Sequence, residues 1–341
     1  MNAILAGMGW VTPLGRDLET VRAALEAGVT VEPQFETPPN RSTPLPVLRI
    51  PPALVRDAAA LPRLRRSSVI SHFAVAAAVD AAAELTSEQL ARTALIFTAT
   101  DGGVHYTRRF FGDIIERGPG AGSPLLFPET VYNAPASHIA ARLGLDRESL
   151  TLVGDIETGL DAIQTACELL ACGDVDYCLV AAAQEIDWIA CEAYARWGLV
   201  ASPTRPGAIL SEGAAAVLLA REGSGRSVQV LSNGSARITN PKTFATIAAA
   251  LPATPDVIVS SASGTRFSAT EYDHLRVLFP ETPLLTPKIT LGEAMVCSSI
   301  QQVILAALTL ENSGKSHGLA ITTGCSGRIS ALFLTQSSSH E

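Results

Sequence analysis

Residues 151–173 read TLVGDIETGLDAIQTACELLACG. An apolar run, Thr151 to Val153, meets a turn at Gly154–Thr158, and an amphipathic helix pattern begins at Gly159. A sharp strand-to-helix elbow is where many enzymes expose a nucleophile. This one offers Asp155, Ile156, Glu157 and Thr158, with no Cys or Ser. Two carboxylates can do acid–base work where burial raises one pKa. They can equally cap the helix that follows, because negative charge near a helix N-terminus is stabilising, or reach a subunit interface. A second chemical candidate is Cys325, in Gly-Cys-Ser-Gly near the C-terminus. As a thiolate it would be a nucleophile; as a buried thiol it would be inert. Cys297 reads as core. His138, in NAPASHIA, reads as structural, and His72 and His105 have no partner pattern.

Other chemistries find little in the sequence. The six cysteines stand at 167, 172, 178, 191, 297 and 325, with no CxxC pair, so a zinc site has little support and buried free thiols fit better. There is no phosphate-binding P-loop and no dinucleotide fingerprint. The net charge of −8 speaks against a nucleic-acid surface. The densest basic stretch, RDAAALPRLRR from Arg56 to Arg66, reads either as a docking patch for an acidic partner or as a solvated helix end. Hydrophobic residues make up 47% of the chain but aromatics only 5%, and Ala and Gly are abundant. That composition argues for closely packed layers rather than a bulky aromatic core. The opening MNAILAGMGWVTPLG reads as a strand and turn, not a signal peptide. No uninterrupted apolar run approaches the length of a membrane span. A soluble, cytoplasmic protein without membrane insertion is the expectation.

The elements that must position these residues alternate from end to end. RDLETVRAALEAG places Leu18, Val21 and Leu25 on one helix face, with Gly28 as its stop. SVISHFAVAAAVDAAAEL is a long Ala-rich helix with Ile70, Phe73 and Val79 inward. TALIFTAT, Thr93 to Thr100, is a continuous apolar strand of the kind found inside a sheet covered on both faces. VDYCLVAAAQ and EGAAAVLLA are further buried strands. After a polar break at 221–227 the pattern begins again. PKTFATIAAAL is a helix, DVIVSSASG a buried strand, SATEYDHLRVLF a helix with Ser268 as N-cap, and SSIQQVILAALTLENSG a helix ending at Gly314. GLAITTG and ISALFLT form a hairpin-like pair. The pattern predicts a layered α/β fold in two parts, residues 1–222 and 227–341.

Four ordered segments carry a resemblance. MGWVTPLGRDLETVRAALEAG resembles the opening of the β-ketoacyl synthases, where a strand leads into V-T-P-L-G and a helix. NAPASHIAARLGL is similar to the family's N-x-P-A-x-x-I-A segment. GLDAIQTACELLACGDVDYCLVAAAQE resembles its nucleophile helix and the strand after it, and SEGAAAVLLA its G-E-G-A strand. The resemblance implies a thiolase-like fold: two similar βαβαβαββ halves, each a five-stranded sheet with helices, stacked in five layers, α-β-α-β-α. It also implies a dimer formed beside the nucleophile strand.

The family's reaction uses a Cys thiolate to hold an acyl thioester and two histidines to assist decarboxylation of a malonyl unit. The resemblance places the Cys position at Ile156. It places the first His position at Ser261, in Ser261-Ala262-Ser263-Gly264-Thr265, and the second at Glu293, after Lys288-Ile289-Thr290-Leu291-Gly292. Ile156 cannot form an acyl-enzyme, and Ser261 has no proton to exchange near neutrality. An ionised Glu293 would repel a malonyl carboxylate. By resemblance the chain is expected to be a chain-length-factor-type subunit, with no catalytic residue of its own. It would pair as a heterodimer with an active ketosynthase and meet an acyl carrier protein, whose phosphopantetheine arm delivers the acyl chain without any other cofactor or metal. The alternative is a divergent acyltransferase or thioesterase using Cys325, Glu157 or Glu293.

Overall fold

Strands Ala3–Val11, Gly213–Ala220, Tyr177–Gln184, Thr93–Ala99 and Ser149–Val153 lie side by side in that order. They form one half of the ten-stranded sheet in the computed structural model, which describes residues 3–39, 41–202, 205–223, 225–233, 241–324 and 326–336. The other half runs outward through Arg226–Asn233, Ile329–Gln336, His317–Thr323, Val257–Val259 and Leu284–Leu285. The halves meet only where Ala3, Ile4 and Leu5 pair antiparallel with Val228, Ser227 and Arg226. Elsewhere they part and enclose a helical layer.

Strand alternation shows how the layers form, because successive side chains point to opposite faces. In Thr93–Ala99, Leu95 and Phe97 join an outer core with Ile70, Phe73, Ala136 and Ile139, from the helices Val69–Ala81 and Ala134–Leu143. Ala94 and Ile96 face the opposite way. They join a central core with Leu160, Ile163 and Leu170 of helix Thr158–Cys172 and with Ile300, Ile304 and Leu308 of helix Val296–Ser313. That core reaches Val259, Ala320 and Leu332 of the second half-sheet. On the far side, Phe244, Ile247 and Leu275 of helices Pro241–Ala250 and Arg266–Leu278 cover Ile258, Leu319 and Phe333. The result is helix, sheet, helix, sheet, helix: the five-layered thiolase-like fold.

The Ala- and Gly-rich composition has a direct use. A Cβ on Gly9 would lie 2.3 Å from the Ala77 carbonyl oxygen, and one on Gly7 would lie 2.1 Å from that of Ala81. Only glycines let the strand Ala3–Val11 lie so close under the Val69–Ala81 helix. At the centre, a Cβ on Gly159 would meet Ser299 Oγ at 2.0 Å, so the two central helices touch where the first one begins.

Several local expectations need correction. The helix over 266–278 starts before Ser268: Thr265 is its N-cap, and the Thr265 side chain accepts from the Ser268 N–H. Val79 packs against the same core as Ile70 and Phe73 but is only half-buried. The elbow helix begins one residue early, at Thr158. His72 and His105 do have partners: His72 Nε2 lies 2.8 Å from the Leu64 carbonyl, and His105 Nδ1 lies 3.5 Å from Asp187. Both partners are distant in the fold's logic rather than in a local motif, so no sequence pattern marked them.

Candidate functional site

The elbow sits at the end of the edge strand Ser149–Val153. Thr100 Oγ1 donates to the Gly154 carbonyl at 2.9 Å, and the Thr158 N–H donates to the Asp155 carbonyl at 2.9 Å, which turns the chain into its helix. Ile156 is only 3% exposed. It lines a small cavity together with Ser261, Glu293, Glu271, Tyr194 and Gly324. The three positions marked by resemblance thus converge, although Ile156 lies more than a hundred residues before the other two. The cavity volume is about 30 Å3, room for one or two water molecules. Thr265 and Ser268 also line a larger cavity of about 770 Å3, whose walls include the exposed Trp197 and Tyr272.

Each wall group is already engaged. Ser261 is buried beside Glu271, a fully buried carboxylate on helix Arg266–Leu278. Glu271 accepts from Ser260 Oγ at 2.5 Å, from the Ser261 N–H at 2.7 Å, and from the hydroxyls of Ser261 and Thr323. Ser261 Oγ also accepts from the Thr323 N–H at 2.9 Å. Its donor and an acceptor are both used in holding two strand ends together. No sequence motif marks Glu271: it lies ten residues beyond Ser261, and the turn at Gly264 folds it back.

Glu293 is buried with Lys288, whose Nζ lies 2.9 Å from its carboxylate. Burial holds the Glu293 pKa above the usual carboxylate range, with the nearby Asp155 adding to the rise and Lys288 opposing it. Its other oxygen accepts from the Met295 N–H at 3.1 Å. Met295 has φ 51° and ψ −132°, a strained conformation for a side-chain-bearing residue. The Glu293 bond and a hydrogen bond from Tyr194 Oη to Met295 Sδ at 2.8 Å hold it there.

The elbow carboxylates part company. Asp155 accepts from the Ile156 N–H and, at 2.8 Å, from the Ser326 N–H. Glu157, 2% exposed, accepts from Ser326 Oγ at 2.8 Å, with Arg328 3.8 Å away. Burial raises its pKa, and its Oε2 has no partner. Glu157 stands at the N-cap position without a side-chain cap bond and is not among the walls of the Ile156 cavity. Asp155 and Glu157 therefore bind the elbow to the 324–328 turn, which is tertiary clamping rather than simple capping. Gly324 makes this approach possible, since a Cβ there would sit 2.0 Å from Glu157 Oε2. Cys325 lies outside the described residues. Cys297 is fully buried in the central core, and burial raises its pKa well above the ordinary thiol value.

The remaining sequence-marked groups lie elsewhere. His138 Nε2 donates to Glu129 at 2.8 Å, and its Nδ1 accepts from Arg63 Nε at 3.3 Å, so both ring nitrogens serve the structure. Glu185, fully buried, accepts from Ser68 Oγ, from the Ile70 N–H and from the His105 N–H. One carboxylate thus ties together the N-terminal ends of helices Val69–Ala81 and Val104–Arg117, where anionic charge is favoured. Among the described residues no cluster of His, Cys, Asp and Glu is arranged to hold a metal ion, and no helix is long and apolar enough to cross a membrane.

Residues 63–224 match the family described as the β-ketoacyl synthase N-terminal domain. That stretch contains the elbow, its helix and the buried strands on either side. Over that stretch, a little under half of its length, the chain is similar to the β-ketoacyl synthases. Among curated relatives, the 3-oxoacyl-[acyl-carrier-protein] synthase 2 of Vibrio harveyi is 24% identical over 196 residues, 54% of this chain and 46% of that protein. The chain therefore spans about half the length of the curated relatives it matches. In fold it is similar to the ishigamide ketosynthase/chain length factor, with a TM-score of 0.80, 18% identity, and 99% of this chain and 100% of the other covered. It is equally similar to a ketosynthase solved in complex with its chain length factor from Xenorhabdus doucetiae, with a TM-score of 0.80, 16% identity and 98% of each chain covered. The elbow within the matched stretch has strand-turn-helix geometry and carries Ile156 at its turn.

Proposed function

We propose that this chain is a non-catalytic, chain-length-factor-type subunit that pairs with an active β-ketoacyl-acyl-carrier-protein synthase. The observation that carries this reading is the single cavity formed by Ile156, Ser261 and Glu293. It offers an aliphatic side chain, a hydroxyl committed to Glu271, and a carboxylate committed to Lys288. None of the three can do the work of a Cys-His-His set, and a cavity of about 30 Å3 leaves no room for an acyl thioester.

The surface supports pairing. The edge strand Ser149–Val153 has a neighbour on one side only and exposes Leu150 and Val153. Helix Val104–Arg117 has no fully buried residue and exposes Phe111 and Ile115, with Leu125 and Phe127 exposed after it. An open strand edge with exposed apolar side chains is a surface built to be covered. The two structural relatives are ketosynthase and chain length factor assemblies, which fits a ketosynthase as the covering partner. The reaction would then be the partner's: decarboxylative condensation of a malonyl unit with an acyl chain, both on carrier protein. Arg56 to Arg66 is the candidate dock for the acidic carrier.

The test is direct. The purified chain is incubated with acyl-carrier-protein thioesters and weighed by intact-mass spectrometry, alone and after co-expression with a Cys-His-His ketosynthase. The expected result is no acyl mass on this chain, acylation of the partner, and a stable complex. An acyl adduct or released acid that disappears in Cys325→Ala would instead establish the divergent acyltransferase or thioesterase.

A further inference from the structure

A second cavity, of about 350 Å3, lies between the Leu45–Leu48 strand and the C-terminal end of helix Trp188–Arg196. Its walls are mostly apolar and include Phe35, Pro44, Pro46 and Val200. Two guanidinium groups, Arg41 and Arg205, stand in the same walls, and no Asp or Glu does. Arg41 Nε is buried without a partner. Arg205 donates only a long bond, 3.4 Å, to the Val200 carbonyl among the described residues, and neither arginine is in an ion pair there.

This arrangement is costly when empty. The buried Arg41 Nε–H without an acceptor carries a desolvation penalty, and Arg205, which is solvent-exposed, adds a second like charge to the same wall. The chain as a whole is acidic, with a net charge of −8, and two other shielded arginines show the usual remedy: Arg22 lies between Glu19 and Glu26, and Arg49 between Glu36 and Glu212, whereas the buried Arg226 bonds the Lys315 carbonyl. Arg41 and Arg205 lack that remedy. A single anion between them relieves both costs at once, and guanidinium forks suit a carboxylate. The rest of the cavity, at the small end of the range for ligand sites, is mostly apolar, with Thr43 and Ser202 as its other polar residues among those described.

We infer that this cavity binds a small amphipathic anion, a free medium-chain acyl carboxylate, with its head between Arg41 and Arg205 and its tail on Phe35, Pro44, Pro46 and Val200. The site is separate from the Ile156 cavity. Arg205 also lines the larger cavity by Trp197 and Tyr272, so an occupied site would fix one wall of that cavity. The inference does not depend on whether the chain is catalytic.

The experiment is titration calorimetry of the full chain with sodium dodecanoate below its micelle concentration. Dodecanol supplies the tail alone and acetate the head alone. The expected result is one dodecanoate per chain, with dodecanol and acetate each weaker by about tenfold or more. The double variant Arg41→Gln/Arg205→Gln loses about tenfold or more in dodecanoate affinity. Phe35→Glu does the same by placing a negative charge on the wall; because Phe35 is 65% exposed, this variant keeps its fold even if the double variant does not. Absence of dodecanoate binding to the unaltered chain would overturn the inference. So would equal affinity for dodecanol, or unchanged affinity in Phe35→Glu.

Discussion

Lys288 and Glu293 carry the charge balance of the Ile156 cavity at the scale of single residues. Both are buried, and each neutralises the other. Removing one member of such a pair leaves an uncompensated charge, whereas replacing both by apolar groups removes the need for either. Lys288→Met is expected to cost about 3–5 kcal/mol, and Lys288→Met/Glu293→Met to recover most of that loss, as read by urea denaturation. The pH dependence has a definite sign. Glu293 has its folded pKa raised, so its contribution is fully present below the unfolded carboxylate pKa and is lost as pH rises through the folded value. Without Lys288 the folded pKa climbs further. The deficit of Lys288→Met should therefore widen between about pH 5 and about pH 8. A deficit that is flat across that range would show that the two groups do not interact as an ion pair. Glu293 was legible in the sequence as a position; its partner and its burial were not, because they depend on how the Lys288–Leu291 turn packs against the strand near Leu210.

Among the elements, the most constrained contact is the strand Ala3–Val11 under the helix Val69–Ala81. Gly9→Ala would push a methyl group to 2.3 Å from the Ala77 carbonyl, so the helix must lift or the strand must bend. Overpacking of this kind costs about 1–3 kcal/mol. The expected outcome is a lowered melting temperature in a protein that still folds. The same substitution at Gly28, where a Cβ meets nothing within 4 Å, is strained only by its φ of 69°. The strands and helices were readable because their apolar periods are strong: Thr93–Ala99 is buried at every position, and helix Thr158–Cys172 shows the stripe of Leu160, Ile163 and Leu170. The start of helix Arg266–Leu278 was misread because both Thr265 and Ser268 are good capping residues. The choice fell to the Gly264 turn, whose φ of 84° fits the close approach of the Gly207 carbonyl.

For the molecule as a whole, the question is what covers the open sheet edge. Ile115 is 83% exposed on helix Val104–Arg117, and nothing in the chain's own core needs it. If that face meets a ketosynthase, Ile115→Glu should abolish or sharply weaken co-purification while leaving the melting temperature within a few degrees of the original. Retention of a full-strength complex in size-exclusion chromatography would place the partner on another face. The helix is held in position by Glu185, which accepts from the Ser68 hydroxyl and from the Ile70 and His105 N–H groups and so ties it to helix Val69–Ala81.

The amino-acid sequence determined the layered α/β fold, because hydrophobic period and glycine placement act locally and survive in any window of the chain. It also carries the identities of Ile156, Ser261 and Glu293, which the resemblance to the β-ketoacyl synthases marks as the positions of that family's Cys-His-His set. Their meeting in one cavity, the commitment of Ser261 to Glu271 and of Glu293 to Lys288, and the tether from Asp155 and Glu157 to Ser326 were decided only by tertiary structure. Each joins segments far apart in sequence or folded back by a turn. A carboxylate's partner and pKa depend on the distances and burial that packing creates, and no local pattern encodes those.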